Sequence, residues 1–278
     1  MRVSVLQMSP GQDEAANIAQ AQALIDGAID QDHAEMIGLP EVWTCLGGDR
    51  AAKFDAAEVL PSPGAEPQPG TAYAFLRDVA RSRRVFVHGG SIIEREGERL
   101  FNTTVAIGPD GAELARYRKI HLFDITTPDG KVYGESRSFG AGEQIVSYQA
   151  RNVRVGCAIC YDVRFPELFL ALRRAGAELI FLPSAFTLQT GKDHWEVLIR
   201  ARAIETQCWF AAPATYGKHT DASGEQRDTY GHSSICDPWG PVVAKVADGT
   251  GWATARIDPA RTAKVRADMP VMEHRKLA

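Results

Sequence analysis

Apolar positions along this chain follow two different periods, and the switches between them outline a fold. Short β-branched runs predict strands at Arg2–Met8, Glu35–Pro40, Arg84–Arg95 and Glu113–His121. Apolar residues at three- and four-residue spacing predict a helix at Asp13–Asp30, with Ile18, Ala21, Leu24, Ile25 and Ile29 on one face. A second helix is predicted near Thr71–Ser82, with Phe75, Leu76 and Val79 inward. Polar turn residues join Arg84–Arg95 to Leu100–Gly108 as an antiparallel pair. Further on, strand Asn152–Ile159 leads straight into helix Pro166–Ala175, and strand Glu178–Pro183 precedes helix Asp193–Thr206. Cys208–Ala214, Ser233–Asp237, Val242–Val246 and Gly251–Ile257 complete the set as short strands. Strand–helix units mixed with hairpins predict an α/β protein with two mixed sheets and helices outside. Ser62–Gly70 (SPGAEPQPG) has helical windows on both sides, so it is a surface loop, and residues 1–278 form a single domain.

Composition changes this picture by exclusion. A chain of 278 residues buries roughly three quarters of its unfolded surface, so one large core suffices. With 31 Lys and Arg against 35 Asp and Glu, net −4, there is no basic surplus to attract nucleic acid or an anionic membrane. No apolar run approaches the ~20 residues of a membrane span. The start, MRVSVLQMSPGQDE, lacks the basic and apolar stretches of a signal peptide and is itself a strand. Five cysteines, an odd and sparse count, predict reduced thiols and a cytoplasmic setting.

Candidate chemistry centres on Cys160, in RVGCAICYDVRFPELF. A cysteine between a strand and a helix is exposed by the sharp turn, and the nearby helix N-terminus favours its thiolate and offers amide donors. Cys157 completes a CxxC, but both cysteines fall within the predicted strand and point to opposite faces, so Cys157 is core. No second CxxC makes a zinc site, and no metal or other cofactor is called for. None of the seven histidines stands in a cysteine-protease context. Glu41, closing the apolar run MIGLPE, is instead a candidate base, partly desolvated at a strand tip. Lys119, in RYRKIHLF, is placed to polarise a carbonyl and to hold a thiolate. Either residue alone is also compatible with a solvated strand flank.

LPEVW at 39–43, YRKIHLFD at 117–124 and CAICYDVRFPEL at 157–168 resemble the three signature segments of the nitrilase superfamily of carbon–nitrogen hydrolases, in the family's order. HWEVLIRARAIETQCWF and YGHSSICDPWG resemble its Nit branch, so the likeness spans nearly the whole chain. The resemblance implies an α-β-β-α sandwich that dimerises through its helices. It implies Glu41 as general base, Lys119 as the oxyanion-stabilising cation and Cys160 as nucleophile. It also implies Glu135, in VYGESRSF, as a second glutamate ordering the lysine and substrate, and the Tyr161 backbone N–H as the other oxyanion donor.

For the substrate, Arg164 lies four residues after Cys160 and is either a cap for Asp162 or Glu167 or a guanidinium fork for a carboxylate, the use implied by amidases of the Nit branch. Thr190, in PSAFTLQTG, is a weaker candidate for the same carboxylate. Arg202 and Glu205 are three apart on a helix and make a structural ion pair. Within the branch the chain looks nearer the deaminated glutathione amidases than the omega-amidases of 2-oxoacid monoamides, and the polar loop Tyr216–Arg227 is placed to touch the longer substrate tail. N-carbamoyl hydrolases and true nitrilases share the triad, and an inactive scaffold acting through its dimer surface is the non-enzyme alternative.

Overall fold

The computed structural model describes residues 1–47, 50–62, 64–127, 130–220, 224 and 226–276. Its centre is a pair of sheets packed face to face. In the first, strand Arg2–Met8 runs parallel to Met36–Gly38 on one side and antiparallel to Gly251–Arg256 on the other. The sheet continues through Phe86–His88 to Arg99–Ile107, against which Ile92–Glu96 and Glu113–Arg118 pair antiparallel. The second sheet has the order Ser147–Ala150, Val153–Cys157, Leu179–Phe181, Trp209–Ala212, Ser234–Cys236, Val242–Lys245. Its three parallel strands, Val153–Cys157, Leu179–Phe181 and Trp209–Ala212, are apolar except for Arg154 because both faces are covered.

The period of two along each strand sorts its side chains between two cores. Val3, Val5, Met36 and Phe86 join Val155, Leu179 and Phe181 between the sheets. Their neighbours Leu6, Met8, Ile37 and Val87 face outward, under helices Glu14–Asp32 and Ala72–Arg83. Helices Pro166–Arg174 and Leu188–Thr206 cover the second sheet with Leu168, Phe169, Leu172, Trp195 and Ile199. The layering is therefore helix, sheet, sheet, helix.

Several elements differ from their sequence expectation. The run Arg84–Arg95 is two strands, broken at Gly89–Gly90, where a side chain on Gly90 would stand 2.1 Å from the Pro40 carbonyl. Helix Leu188–Thr206 begins five residues before Asp193, because the Thr187 side chain caps it by accepting from Thr190 N. Tyr216–Arg227 is not a loop but most of a hairpin, Ala214–Thr220 against Gln226–Tyr230, with residues 221–223 and 225 outside the described residues. Of Ser62–Gly70, Pro63 lies outside them too, and the rest carries neither strand nor helix. Helix Pro259–Asp268 and the small hairpin Asp124–Thr126 with Val132–Gly134 were not anticipated.

Candidate active site

Four separate segments deliver the candidate residues to one cavity of about 250 Å³, whose wall includes Glu41, Lys119, Glu135, Cys160 and Tyr161. Glu41 follows strand Met36–Gly38, and Lys119 follows Glu113–Arg118, tied by its N–H to the Asn102 carbonyl at 2.9 Å. Glu135 opens a short 3₁₀ turn, Glu135–Arg137. The strand carrying Cys157 ends there, and Cys160 instead starts a 3₁₀ turn, Cys160–Arg164, before helix Pro166–Arg174. The prediction that both cysteines lie in the strand is corrected accordingly. Cys157 is fully buried in the core, whereas Cys160 has φ +47, a left-handed backbone that turns the residue out of the strand direction.

The Lys119 ammonium sits between two carboxylates. It donates to Glu41 Oε1 at 2.9 Å and to Glu135 Oε2 at 2.8 Å, with its side chain 1% exposed. Burial opposes its charge, but Glu135 and Glu41 outweigh that and hold it well above the ordinary lysine range. Asn102, from strand Arg99–Ile107, donates to both glutamates, at 2.9 Å to Glu41 and 3.2 Å to Glu135. The Phe123 N–H fixes Glu135 Oε2 at 2.7 Å. Asn102 escaped sequence reasoning because a polar residue in LFNTTVAIG reads as an ordinary outward strand position.

The surroundings of Cys160 oppose ionisation of its thiol. Burial and the adjacent Glu41 carboxylate push it well above the ordinary range, and Lys119 and the Ala185 N–H only partly offset them. The Cys160 N–H is spent on the Pro183 carbonyl at 2.9 Å, so it is not an oxyanion donor.

Beneath this turn, Asp162 is completely buried and accepts from Ile159 N at 2.8 Å, His121 N at 3.0 Å and the Tyr117 hydroxyl at 2.7 Å. Thr190 lines the cavity from the first turn of helix Leu188–Thr206. Arg164 does not. Its guanidinium lies against the rings of Tyr161 and Phe186 and meets His194 Nδ1 at 3.2 Å. In an α-helix the fourth residue on would return to the face of Cys160, but at three residues per turn it points about 120° away. Cations reach the cavity from elsewhere: Lys53, Lys131 and Arg227. Arg202 and Glu205 pair at 2.8 Å, and Arg202 Nε bonds the Val163 carbonyl at the end of the nucleophile turn. Among the described residues, no group of three or more His, Cys, Asp or Glu is gathered as metal ligands would be, and no helix is long and apolar enough to cross a membrane.

The chain is 40% identical to a deaminated glutathione amidase of Synechocystis sp. over 98% of this chain and 97% of that protein. It is 34% identical to the human omega-amidase NIT2 over 99% of this chain and 95% of that protein. The structure of Caenorhabditis elegans NitFhit superposes with a TM-score of 0.87 at 34% identity over 99% of this chain, which spans 65% of that longer chain. Saccharomyces cerevisiae Nit3, a member of branch 10 of the nitrilase superfamily, superposes at 0.86 with 27% identity over 100% of this chain and 97% of Nit3. The carbon-nitrogen hydrolase family model matches residues 2–267, and the chain belongs to that family.

Proposed function

We propose that this protein is a thiol-dependent amidase that hydrolyses the C–N bond of a small amide bearing a carboxylate, with deaminated glutathione as its preferred substrate. The observation that carries this reading is the Lys119 ammonium held between Glu41 and Glu135 on the wall that also presents Cys160. Glu41 takes the Cys160 proton as sulfur attacks the carbonyl carbon. The oxyanion is stabilised by Lys119 and by the Tyr161 backbone N–H, and Glu135 keeps the lysine in place. Glu41 returns the proton to the leaving amine, and water then cleaves the thioester by the same route. The 40% identity to a deaminated glutathione amidase favours that substrate, and the 34% identity to an omega-amidase supports 2-oxoglutaramate as the second reading.

In this reading the whole chain acts as one hydrolase domain, in the cytoplasm, as a homodimer. Val197, Ile204 and Trp239 support the dimer, since they leave an apolar face, 67%, 50% and 50% exposed, along helix Leu188–Thr206 and beside it. The test compares kcat/KM for deaminated glutathione, 2-oxoglutaramate, an N-carbamoyl amino acid and an aliphatic nitrile. Preference for either of the last two overturns the amidase reading, as does full turnover by Glu41→Gln or Lys119→Ala. Preference for 2-oxoglutaramate overturns only the choice of substrate.

A further inference from the structure

Tyr117 and His121 stand two residues either side of Lys119, and both end on Asp162, two residues after Cys160. The Tyr117 hydroxyl donates to Oδ2 at 2.7 Å. His121 takes Oδ1 twice, through its backbone N–H at 3.0 Å and its ring Nδ1 at 2.7 Å. The Ile159 N–H, immediately before the nucleophile, completes the set on Oδ2 at 2.8 Å. Asp162 is fully buried, so these donors stand where water would otherwise solvate its charge. A carboxylate oxygen offers only lone pairs, so the hydrogen of the ring contact is on Nδ1, whether the imidazole is neutral or charged.

A second contact fixes the same ring. It lies flat on Phe165, with centroids 3.8 Å apart and planes 7° apart, and Phe165 is the residue that joins the nucleophile turn to helix Pro166–Arg174. His121 therefore grips the turn at two points, Asp162 by hydrogen bond and Phe165 by stacking, while standing outside the cavity lining. Between them and Cys160 lies Tyr161, whose backbone N–H makes no backbone hydrogen bond among the described residues. That peptide is held in place through its neighbours, Ile159 and Asp162, rather than by a bond of its own. Without the ring donor, Oδ1 keeps only the His121 N–H, and a buried carboxylate short of a donor is driven to shift towards another.

We infer that His121 is a positioning residue, which through Nδ1–H and Asp162 holds the nucleophile turn against the segment that carries Lys119. The clamp sets the distance from Cys160 and the Tyr161 N–H to the Lys119 ammonium, on which attack and oxyanion stabilisation both depend. The inference rests on the amidase reading for the reaction it serves but not for the clamp itself.

The test uses the full chain, an amide ending in a carboxylate, and two replacements of His121. His121→Phe keeps a flat ring over Phe165 but has no donor. His121→Asn puts an amide N–H on Cγ, where Nδ1 stood, and gives up the ring. His121→Phe is expected to lower kcat about 10- to 100-fold, the loss typical of one hydrogen bond to a buried charge, with KM changed far less. His121→Asn is expected to recover most of that loss. Full turnover by His121→Phe overturns the inference. So does an asparagine variant as slow as the phenylalanine one, which assigns the effect to the stacked ring, and so does a change confined to KM, which marks a substrate contact. Where His121→Phe does not fold, His121→Gln, with its amide at the Nε2 position, takes its place as the variant lacking the Nδ1 donor. If the unaltered protein hydrolyses no amide, the amidase reading fails, and alkylation of Cys160 by iodoacetamide then decides the clamp by itself. A rate at least about fivefold lower in His121→Phe and regained in His121→Asn supports it, because Lys119 favours the reactive thiolate only at close range. Equal rates in all three proteins overturn it.

Discussion

The Tyr117 hydroxyl donates to Asp162 Oδ2 at 2.7 Å and so joins the two sheets at the point where each delivers a reactive side chain. Tyr117 ends in the first sheet, two residues before Lys119, and Asp162 follows Cys160 by two in the turn beyond the second sheet. Burial and the Asp162 charge hold the tyrosine well above its ordinary range, so it remains a donor at any working pH. Tyr117→Phe removes one bond to a charged group and is expected to cost about 1.5–3 kcal/mol in urea unfolding. Turnover is expected to fall as well, because the separation of Lys119 and Cys160 loosens. Stability lost with kcat fully retained would show that the bond plays no part in spacing the site.

Cys160 and Cys157 are expected to separate cleanly. Cys160→Ala abolishes turnover, while Cys157→Ala keeps it at a cost of about 1–3 kcal/mol for a lost core contact. Because Cys160 has φ +47, Cys160→Gly is expected to be more stable than Cys160→Ala by about 1 kcal/mol. Thermal unfolding of the three variants, with activity measured alongside, checks the assignment. A glycine variant less stable than the alanine variant would contradict the strained backbone.

Asn102 holds Glu41 and Glu135 with one amide nitrogen, so Asn102→Ala leaves Glu41 leaning on Lys119 and Glu135 on Lys119 and the Phe123 N–H. We expect kcat to drop about 10- to 100-fold, in line with the loss of one positioning hydrogen bond in a buried network. The acid limb of the pH–rate profile should also move, which a purely structural defect would not produce. An unaltered profile at reduced stability would remove Asn102 from the catalytic arrangement.

At alkaline pH two shifts act in the same direction. Cys160 is held above its ordinary 9.0 by burial and Glu41, and Lys119 stays charged above its ordinary 10.5 because Glu135 and Glu41 outweigh its burial. In both cases the folded state keeps a proton that the unfolded chain releases, so stability is fully present below about pH 9 and falls as pH rises beyond it. The urea midpoint should be flat from pH 7 to about 8.5 and then decline, less steeply in Cys160→Ala. Alkylation of Cys160 by iodoacetamide should keep accelerating above pH 9, and a plateau below pH 8 would indicate a preformed thiolate instead.

By itself the sequence determined the class and most of the elements. Periods of two and three to four residues are properties of neighbouring positions, so strand Arg2–Met8 and the helix capped by Asp13 were legible within two residues of their ends. The segments around Glu41, Lys119 and Cys160 likewise carried their family likeness in local order. The tertiary structure decided the chemistry within hydrogen-bond reach. Asn102 joined the glutamates because the strand Arg99–Ile107 passes beneath them, a proximity between residues 61 positions apart that no local pattern encodes. The Cys160 thiol is pushed above its ordinary range because its burial and the placement of Glu41 are set by packing, against the turn that favours a thiolate. Arg164 left the cavity and Arg227 entered it for a similar reason. The tighter pitch after Cys160 rotates one guanidinium away, while pairing across a hairpin brings in another from sixty-seven residues further along the chain.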